Sequence, residues 1–233
     1  MATTPVFILP GLLEDSDCFE HQIARLRQSA PCSVADLTAS DSIAGLARDA
    51  LDQAPGRRFA LAAHSMGGYV AFEILRQAPE RVERLALLNT NARPDSPEST
   101  ANRRRLMALA EKDFPAVIEA LMPRLMTAEA LADPDKSGTI GAMALAAGKE
   151  AFVRQETAII GRADSRPHLA KIACPTLVVA GREDALMPLE LLEEIARGVP
   201  GGTLAVIERC GHIPSLEQPE ELAELLVSWL DIA

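Results

Sequence analysis

Two rhythms of apolar and polar positions run along the chain, and the change between them divides it into three stretches. Short apolar runs of strand length occur at residues 6–9, 33–37, 59–63, 82–88, 175–180 and 203–207. Between them, apolar residues recur at helical spacing. Phe19, Ile23 and Leu26 form one such face, with Asp17 as a candidate cap. Ile43, Leu46, Ala47, Ala50 and Leu51 form another, capped by Asp41 or Ser42, running to about Gln53 and broken by Pro55-Gly56. Residues 69–75 and 189–197 continue the series. The last helix starts at Pro219 and carries Leu222, Leu225, Leu226 and Leu230 on one face. Strands alternating with helices predict a mostly parallel sheet of about six strands, flanked by helices and joined by right-handed crossovers.

The alternation stops between residues 91 and 166. A polar, Pro-rich link, ARPDSPEST, leads into helical patterns at residues 103–109, 115–126 and 140–160. So long a departure inside a compact domain predicts a structured insertion rather than a loop. The expected organisation is an α/β core in two parts, residues 1–90 and 167–233, with a helical cap at 91–166. The alternative is an extra helical layer without a role.

At 233 residues the chain is long enough for one α/β domain with an insertion. A net charge of −10 argues against nucleic acid or an anionic membrane as partner, because both need basic patches. No apolar run approaches the roughly 20 residues of a membrane span. The opening MATTPVFILPG has no basic region, so no signal peptide is expected. Cys18, Cys32, Cys174 and Cys210 are scattered without zinc-like spacing, which predicts free thiols in a reducing cytoplasm. There is no HExxH, no Gly-rich phosphate loop and no His/Cys cluster, so no metal or cofactor is expected.

The chemistry-bearing residues sit where such sheets bind ligands, beyond the C-terminal ends of strands. Residues 59–75, FALAAHSMGGYVAFEIL, read as a strand, a tight turn and a helix, with Ser65 in the turn. Ala63 and Gly67, two before and two after it, are small, as a nucleophile elbow requires; the usual G-x-S-x-G is here A-x-S-x-G. A hydroxyl needs an adjacent base to act as nucleophile at neutral pH, and that imidazole needs an acceptor to fix its tautomer. His212, after the last strand and beside Gly211, is the candidate base, ahead of His21, His64 and His168. Asp184, in the GxxDxxxP frame of residues 181–188, is the candidate acid, ahead of Glu183 and Asp164. His64 adjoins Ser65, but a tight turn points neighbouring side chains apart, so it reads as structural. A tetrahedral intermediate needs oxyanion donors. The N–H of Met66 is one candidate and that of Leu12, after Pro10-Gly11, the second.

The segments AHSMGGY, GREDALMP, GHIPSLEQP and the LPGLL turn resemble the α/β-hydrolase fold family, with the small capped bacterial hydrolases, carboxylesterases and enol-lactonases among them, as the most similar branch. The resemblance covers nearly the whole chain. It implies Ser65 as nucleophile, Asp184 as acid, His212 as base, and Leu12 and Met66 as oxyanion donors. Three departures stand out: Ala63 for Gly, Pro10-Gly11 for the usual His-Gly, and a first strand that corresponds to the family's third. The implied reaction is hydrolysis of a small ester through an acyl-enzyme. Lactone opening, C–C bond hydrolysis, thioester cleavage and perhydrolysis are alternatives on the same residues, and a non-catalytic binding protein is a remote one. Leu13, Leu186 and Met187, with Leu12 and Met66, suggest an apolar acyl or alkyl pocket. Arg93, Arg154, Arg162 and Arg166 either hold a substrate carboxylate or pair with surface acids. Oligomeric state is left open.

Overall fold

The computed structural model describes residues 4–231; the opening residues of MATTPVFILPG and the last two of the chain lie outside them. The apolar runs form β1 (Val6–Leu9), β2 (Cys32–Val34), β3 (Phe59–His64), β4 (Val82–Leu88), β5 (Thr176–Gly181) and β6 (Thr203–Ile207). They make one sheet in the order β2-β1-β3-β4-β5-β6, and every pairing is parallel. Strands β1, β3 and β5 are buried along their whole length, which is why they read as continuous apolar runs. The sheet's direction of growth reverses at β1, so the crevice between the ends of β1 and β3 is the topological switch point.

Side chains alternate between two cores, one on each face. Phe7, Leu9, Leu61, Ala63, Leu85 and Leu87 pack with α2 (Ile43–Gln53), α3 (Met66–Gln77) and α8 (Leu189–Gly198). Ile8, Ala60, Ala62 and Leu88 pack on the other face with α1 (Glu20–Leu26) and α9 (Pro219–Asp231), whose Trp229 is fully buried. Ser42 caps α2, its hydroxyl accepting from the Gly45 N–H at 3.2 Å.

Three local expectations are corrected. Asp17 is not a cap: Asp15 accepts from the Asp17 N–H and starts a 3-10 turn at Ser16–Phe19, which leads into α1. Strand β2 ends at Val34 rather than at residue 37. There the Asp36 carboxylate accepts from the N–H and hydroxyl of Thr38, and this local turn competes with the ladder. Of the helices between β4 and β5, the first and the last start about six residues before their apolar periodicity, the second matches it to within a residue, and a short third one was not expected. They are α4 (Pro97–Ala110), α5 (Phe114–Leu125), α6 (Ala128–Ala132) and α7 (Pro134–Ile160). Ser96, Asp113, Thr127 and Asp133 cap them in turn, and prolines stand in the first turn of α4, α5 and α7. Helix α7 is broken at Gly148, whose φ of 83° is open to glycine but strained for other residues. Leu106, Val117 and Phe152 form a third core inside this stretch, with Leu13 of the β1 loop packed into it.

Candidate active site

Ser65 lies between β3 and α3 with φ 49° and ψ −113°, a conformation that costs energy in any L-residue. The turn is held by the Ser65 N–H donating to Leu88 O at 3.0 Å and the Thr90 hydroxyl donating to Ser65 O at 2.8 Å. The two small positions flanking the serine are not equivalent. A Cβ on Gly67 would meet Leu9 O at 2.3 Å and Pro10 O at 2.8 Å, so glycine is required there. Ala63 sits in the sheet with its methyl fully buried, which explains why the first position accepts alanine.

His212 and Asp184 converge on this serine. His212 Nε2 lies 2.8 Å from Ser65 Oγ, and His212 Nδ1 lies 2.7 Å from Asp184 Oδ2. An ionised carboxylate accepts only, so Nδ1 carries the proton and Nε2 is left to accept from the serine hydroxyl. Asp184 Oδ1 accepts from the N–H groups of Leu186 and Met187 at 2.8 and 3.0 Å. Burial pushes the Asp184 carboxyl up, but the facing His212 and these two amides outweigh it and hold it below the ordinary carboxylate range. Of the rival acids, Glu183 is exposed and Asp164 is paired with Arg166 on the surface.

Pro10 has no N–H, and the loop after β1 has three others before Glu14. The Gly11 N–H donates to Glu14 Oε2 at 2.7 Å and the Leu13 N–H to Gln155 Oε1 at 3.0 Å. The Leu12 N–H is left without an acceptor among the described residues, as is that of Met66 at the first position of α3.

Three residues, Asn89, Gln155 and Glu14, escaped the reading of the sequence, as did the pairing of His64. Asn89, at φ 42°, donates to Asp184 Oδ2 and Gly211 O, both at 2.8 Å. Gln155 of α7 clamps Leu13 and also donates to Leu37 O at 3.0 Å. Glu14 and His64 form a buried pair, Oε2 to Nδ1 at 2.8 Å. Asparagine after an apolar strand was the one available signal, since asparagine tolerates left-handed backbone; the other contacts join residues 50 and 142 positions apart.

A cavity of about 540 Å³ opens over Ser65. Leu12, Leu13, Leu186 and Met187 border it, as do Leu106 and Met143 from the stretch between β4 and β5. Met66 does not line it; its side chain is buried in the core against the sheet. An ionic cluster forms another wall. Arg103 faces Glu156 at 2.6 Å and Asp95 at 3.3 Å, and Arg162 reaches Asp95 at 2.7 Å while lying 4.4 Å over the Tyr69 ring. The four arginines singled out above are all engaged: Arg93 with Glu194, Arg154 with Thr38 O, Arg162 with Asp95 and Arg166 with Asp164. No helix among the described residues is long and apolar enough to cross a membrane.

The family model described as "Alpha/beta hydrolase family" matches residues 6–225. The chain therefore belongs to the alpha/beta hydrolase family and is a hydrolase enzyme. A relative from Serratia proteamaculans named as a carbamate hydrolase, RutD, is 29% identical over 173 residues. That match covers 72% of this chain and 63% of the relative's length, so the chain spans less than two thirds of it. A pimeloyl-[acyl-carrier protein] methyl ester esterase of Neisseria meningitidis is 27% identical, covering 99% of this chain and 94% of its own. Among solved structures, a thermophilic esterase from Thermogutta terrifontis superposes with a TM-score of 0.90 at 30% identity, covering 98% of this chain and 90% of its own. The enol-lactonase of Burkholderia xenovorans LB400 has the same fold, with a TM-score of 0.89 at 24% identity over 99% of this chain and 93% of its own.

Proposed function

We propose that this hydrolase is a serine esterase that cleaves a small ester through an acyl-enzyme on Ser65. The observation that carries the reading is the unbroken chain from Ser65 Oγ through His212 to Asp184, at 2.8 and 2.7 Å, on the floor of a cavity with one apolar and one ionic wall. Ser65 Oγ attacks the ester carbonyl as its proton passes to His212 Nε2. Asp184 keeps the imidazole in the tautomer that can accept that proton and balances the charge that results. The tetrahedral oxyanion takes hydrogen bonds from the Met66 and Leu12 N–H groups, assisted by the N-terminal dipole of α3. His212 then returns the proton to the departing alkoxide. Water, activated by the same imidazole, attacks the acyl-enzyme, releases the carboxylic acid and restores Ser65.

Residues 91–166 act as a cap over the core formed by 1–90 and 167–233, and Leu13, Leu186 and Met187 contact the acyl or alkyl group. The relatives act, by their names, on methyl esters and carbamates, which supports acyl transfer to water as the reaction class. The four unpaired cysteines support action in the reducing cytoplasm.

The test is turnover of p-nitrophenyl butyrate by wild type and Ser65→Ala, with a fluorophosphonate to locate the reactive serine. Wild-type turnover, its loss in Ser65→Ala by about 10⁴-fold or more, and an adduct on Ser65 are expected. Undiminished turnover in the variant, or an adduct elsewhere, would overturn the reading. A panel of lactones, thioesters and esters of graded acyl length then separates the other reactions open to the same residues.

A further inference from the structure

A second buried carboxylate–imidazole pair stands behind the first and takes no part in the steps above. Glu14 Oε2 accepts from the Gly11 N–H at 2.7 Å and faces His64 Nδ1 at 2.8 Å. On the other side of the ring, His64 Nε2 donates to the backbone carbonyl of His212 at 2.7 Å. Both side chains are buried, at 1% exposure for His64 and 7% for Glu14. One short chain of hydrogen bonds thus joins the oxyanion loop, the residue preceding the nucleophile and the backbone of the base.

The protonation of the pair follows from its partners. A carbonyl can only accept, so His64 Nε2 carries a hydrogen. Burial pushes the Glu14 carboxyl up, but His64 and the Gly11 amide outweigh it and hold it below its ordinary range. An ionised Glu14 also only accepts, so His64 Nδ1 carries a hydrogen as well. His64 is therefore an imidazolium, with its ring centroid 5.1 Å from that of His212. A lone charge at that distance would bias the proton affinity of the base, whereas the ion pair leaves the local field close to neutral. The other titratable groups facing the pair are Cys18, held as a thiol by burial, and Asp184 with His212.

We propose that Glu14 and His64 are positioning residues: an ion-paired strut that registers the oxyanion loop against the base and keeps the base's field balanced. The proposal rests on the serine-hydrolase reading. It assigns to His64 a purpose beyond filling the turn, and gives the loop after β1 an anchor that compensates for the absence of the family's His-Gly.

The variants Glu14→Gln, His64→Gln and the double variant, assayed on p-nitrophenyl butyrate against pH, test it. Each single variant is expected to lose about tenfold to a hundredfold in kcat, with KM changing by less than about threefold. In His64→Gln the unbalanced Glu14 carboxylate favours the His212 imidazolium, so the acid limb of kcat/KM moves to higher pH by about one unit. In the double variant the limb returns to within about 0.3 unit of wild type. A role in packing alone would leave the limb in place. The limb is read only from active molecules, so partial misfolding does not move it. Independently of any variant, ¹⁵N shifts of His64 in the wild-type protein near pH 7 should report both ring nitrogens protonated. A neutral His64 ring, an unmoved limb in His64→Gln, or single variants within about twofold of wild-type kcat each overturn the proposal. Active wild type with any of these results sinks the strut alone; a wild type without turnover or Ser65 labelling sinks the hydrolase reading and the strut with it.

Discussion

Asn89 holds Asp184 by the same carboxylate oxygen, Oδ2, that faces His212 Nδ1. Its amide nitrogen donates to Asp184 Oδ2 and to Gly211 O at 2.8 Å each, and its oxygen accepts from the Gly181 N–H at 3.1 Å. One buried side chain thus ties the acid to the end of its own strand and to the residue before the base. Asn89→Ala is expected to lower kcat about tenfold with little change in KM, because the acid loses a donor and the His212 loop a tether. Asn89→Asp should be worse, since it places a second carboxylate beside Asp184. Steady-state kinetics of both variants check this; wild-type kcat in both would show that the amide's donors are irrelevant.

The backbone of Ser65 stores strain that the fold supports for the sake of the hydroxyl's position. At φ 49° and ψ −113° a residue with a Cβ is penalised by about 1–3 kcal/mol. Ser65→Gly should therefore be more stable than wild type by about 1 kcal/mol, seen as a higher urea midpoint, while having no esterase activity. Ser65→Ala keeps the strain and should melt with wild type. A glycine variant less stable than the alanine variant would refute stored strain at this turn.

What could be read from the sequence divides by range. Strands β1, β3, β4 and β5 were legible to within a residue because buried parallel strands are short apolar runs, and β6, though a half-exposed edge strand, carries a similar run. That Ser65, Asp184 and His212 converge was legible because each stands near glycine or proline in a turn or loop after a strand. Glu14, Asn89 and Gln155 were not, because a charged or amide side chain looks the same whether it is solvated or buried against a partner far along the chain. The ends of α4 and α7 were missed for another reason: their first turns are polar, and only the cap followed by proline marks them.

Gly67 faces the backbone of β1 so closely that it gauges how tightly the loop after β1 is set. An added methyl would approach Leu9 O to 2.3 Å, and the neighbour is main chain that cannot rotate away. Gly67→Ala is expected to push β1 and the Pro10-Gly11-Leu12 turn outward. The expected cost is about 2 kcal/mol or more of stability and, on the proposed role of the Leu12 N–H, about a hundredfold in kcat, since that N–H moves with the loop. Ala63→Gly is the control: that position has room for either residue, and activity should change by less than about threefold. Normal activity in Gly67→Ala would exclude a donor on the β1 loop.

The ionic wall of the cavity is sensitive to which member is removed. Asp95 and Glu156 have 1% side-chain exposure; Glu156 has Arg103 as its ion partner, while Asp95 shares Arg103 and also holds Arg162. Burial, ahead of the opposing pull of Arg103, raises the Glu156 carboxyl above its ordinary range. Arg103→Met leaves two buried carboxyls short of a partner and should cost about 3 kcal/mol in denaturant unfolding. Glu156→Gln, which removes the charge that burial already disfavours, should cost less than about 1.5 kcal/mol. The order of the two penalties is the test, and its reversal would mean that Glu156 rather than Arg103 anchors the cluster.

The Glu14–His64 pair also predicts how stability varies with pH. The Glu14 carboxyl lies below its ordinary 4.5 in the folded chain. Its contribution is complete above that value and is lost as pH falls through the lower folded one. Burial pulls the His64 imidazole down, but Glu14 and the other acceptors outweigh it and raise it above its ordinary 6.5. Its contribution is complete below 6.5 and is lost as pH rises through the higher folded value. Together they stabilise the protein fully between about 4.5 and about 6.5, and progressively less on either side. Urea unfolding of wild type and of Glu14→Gln/His64→Gln, across roughly pH 3 to 9, isolates this term as the difference between the two curves. The difference should form a plateau across that window and decline at both ends. A pair held together by packing alone would give a difference independent of pH, and a difference that rises with pH through the window and levels off above about 6.5 would mean that His64 is neutral in the native state.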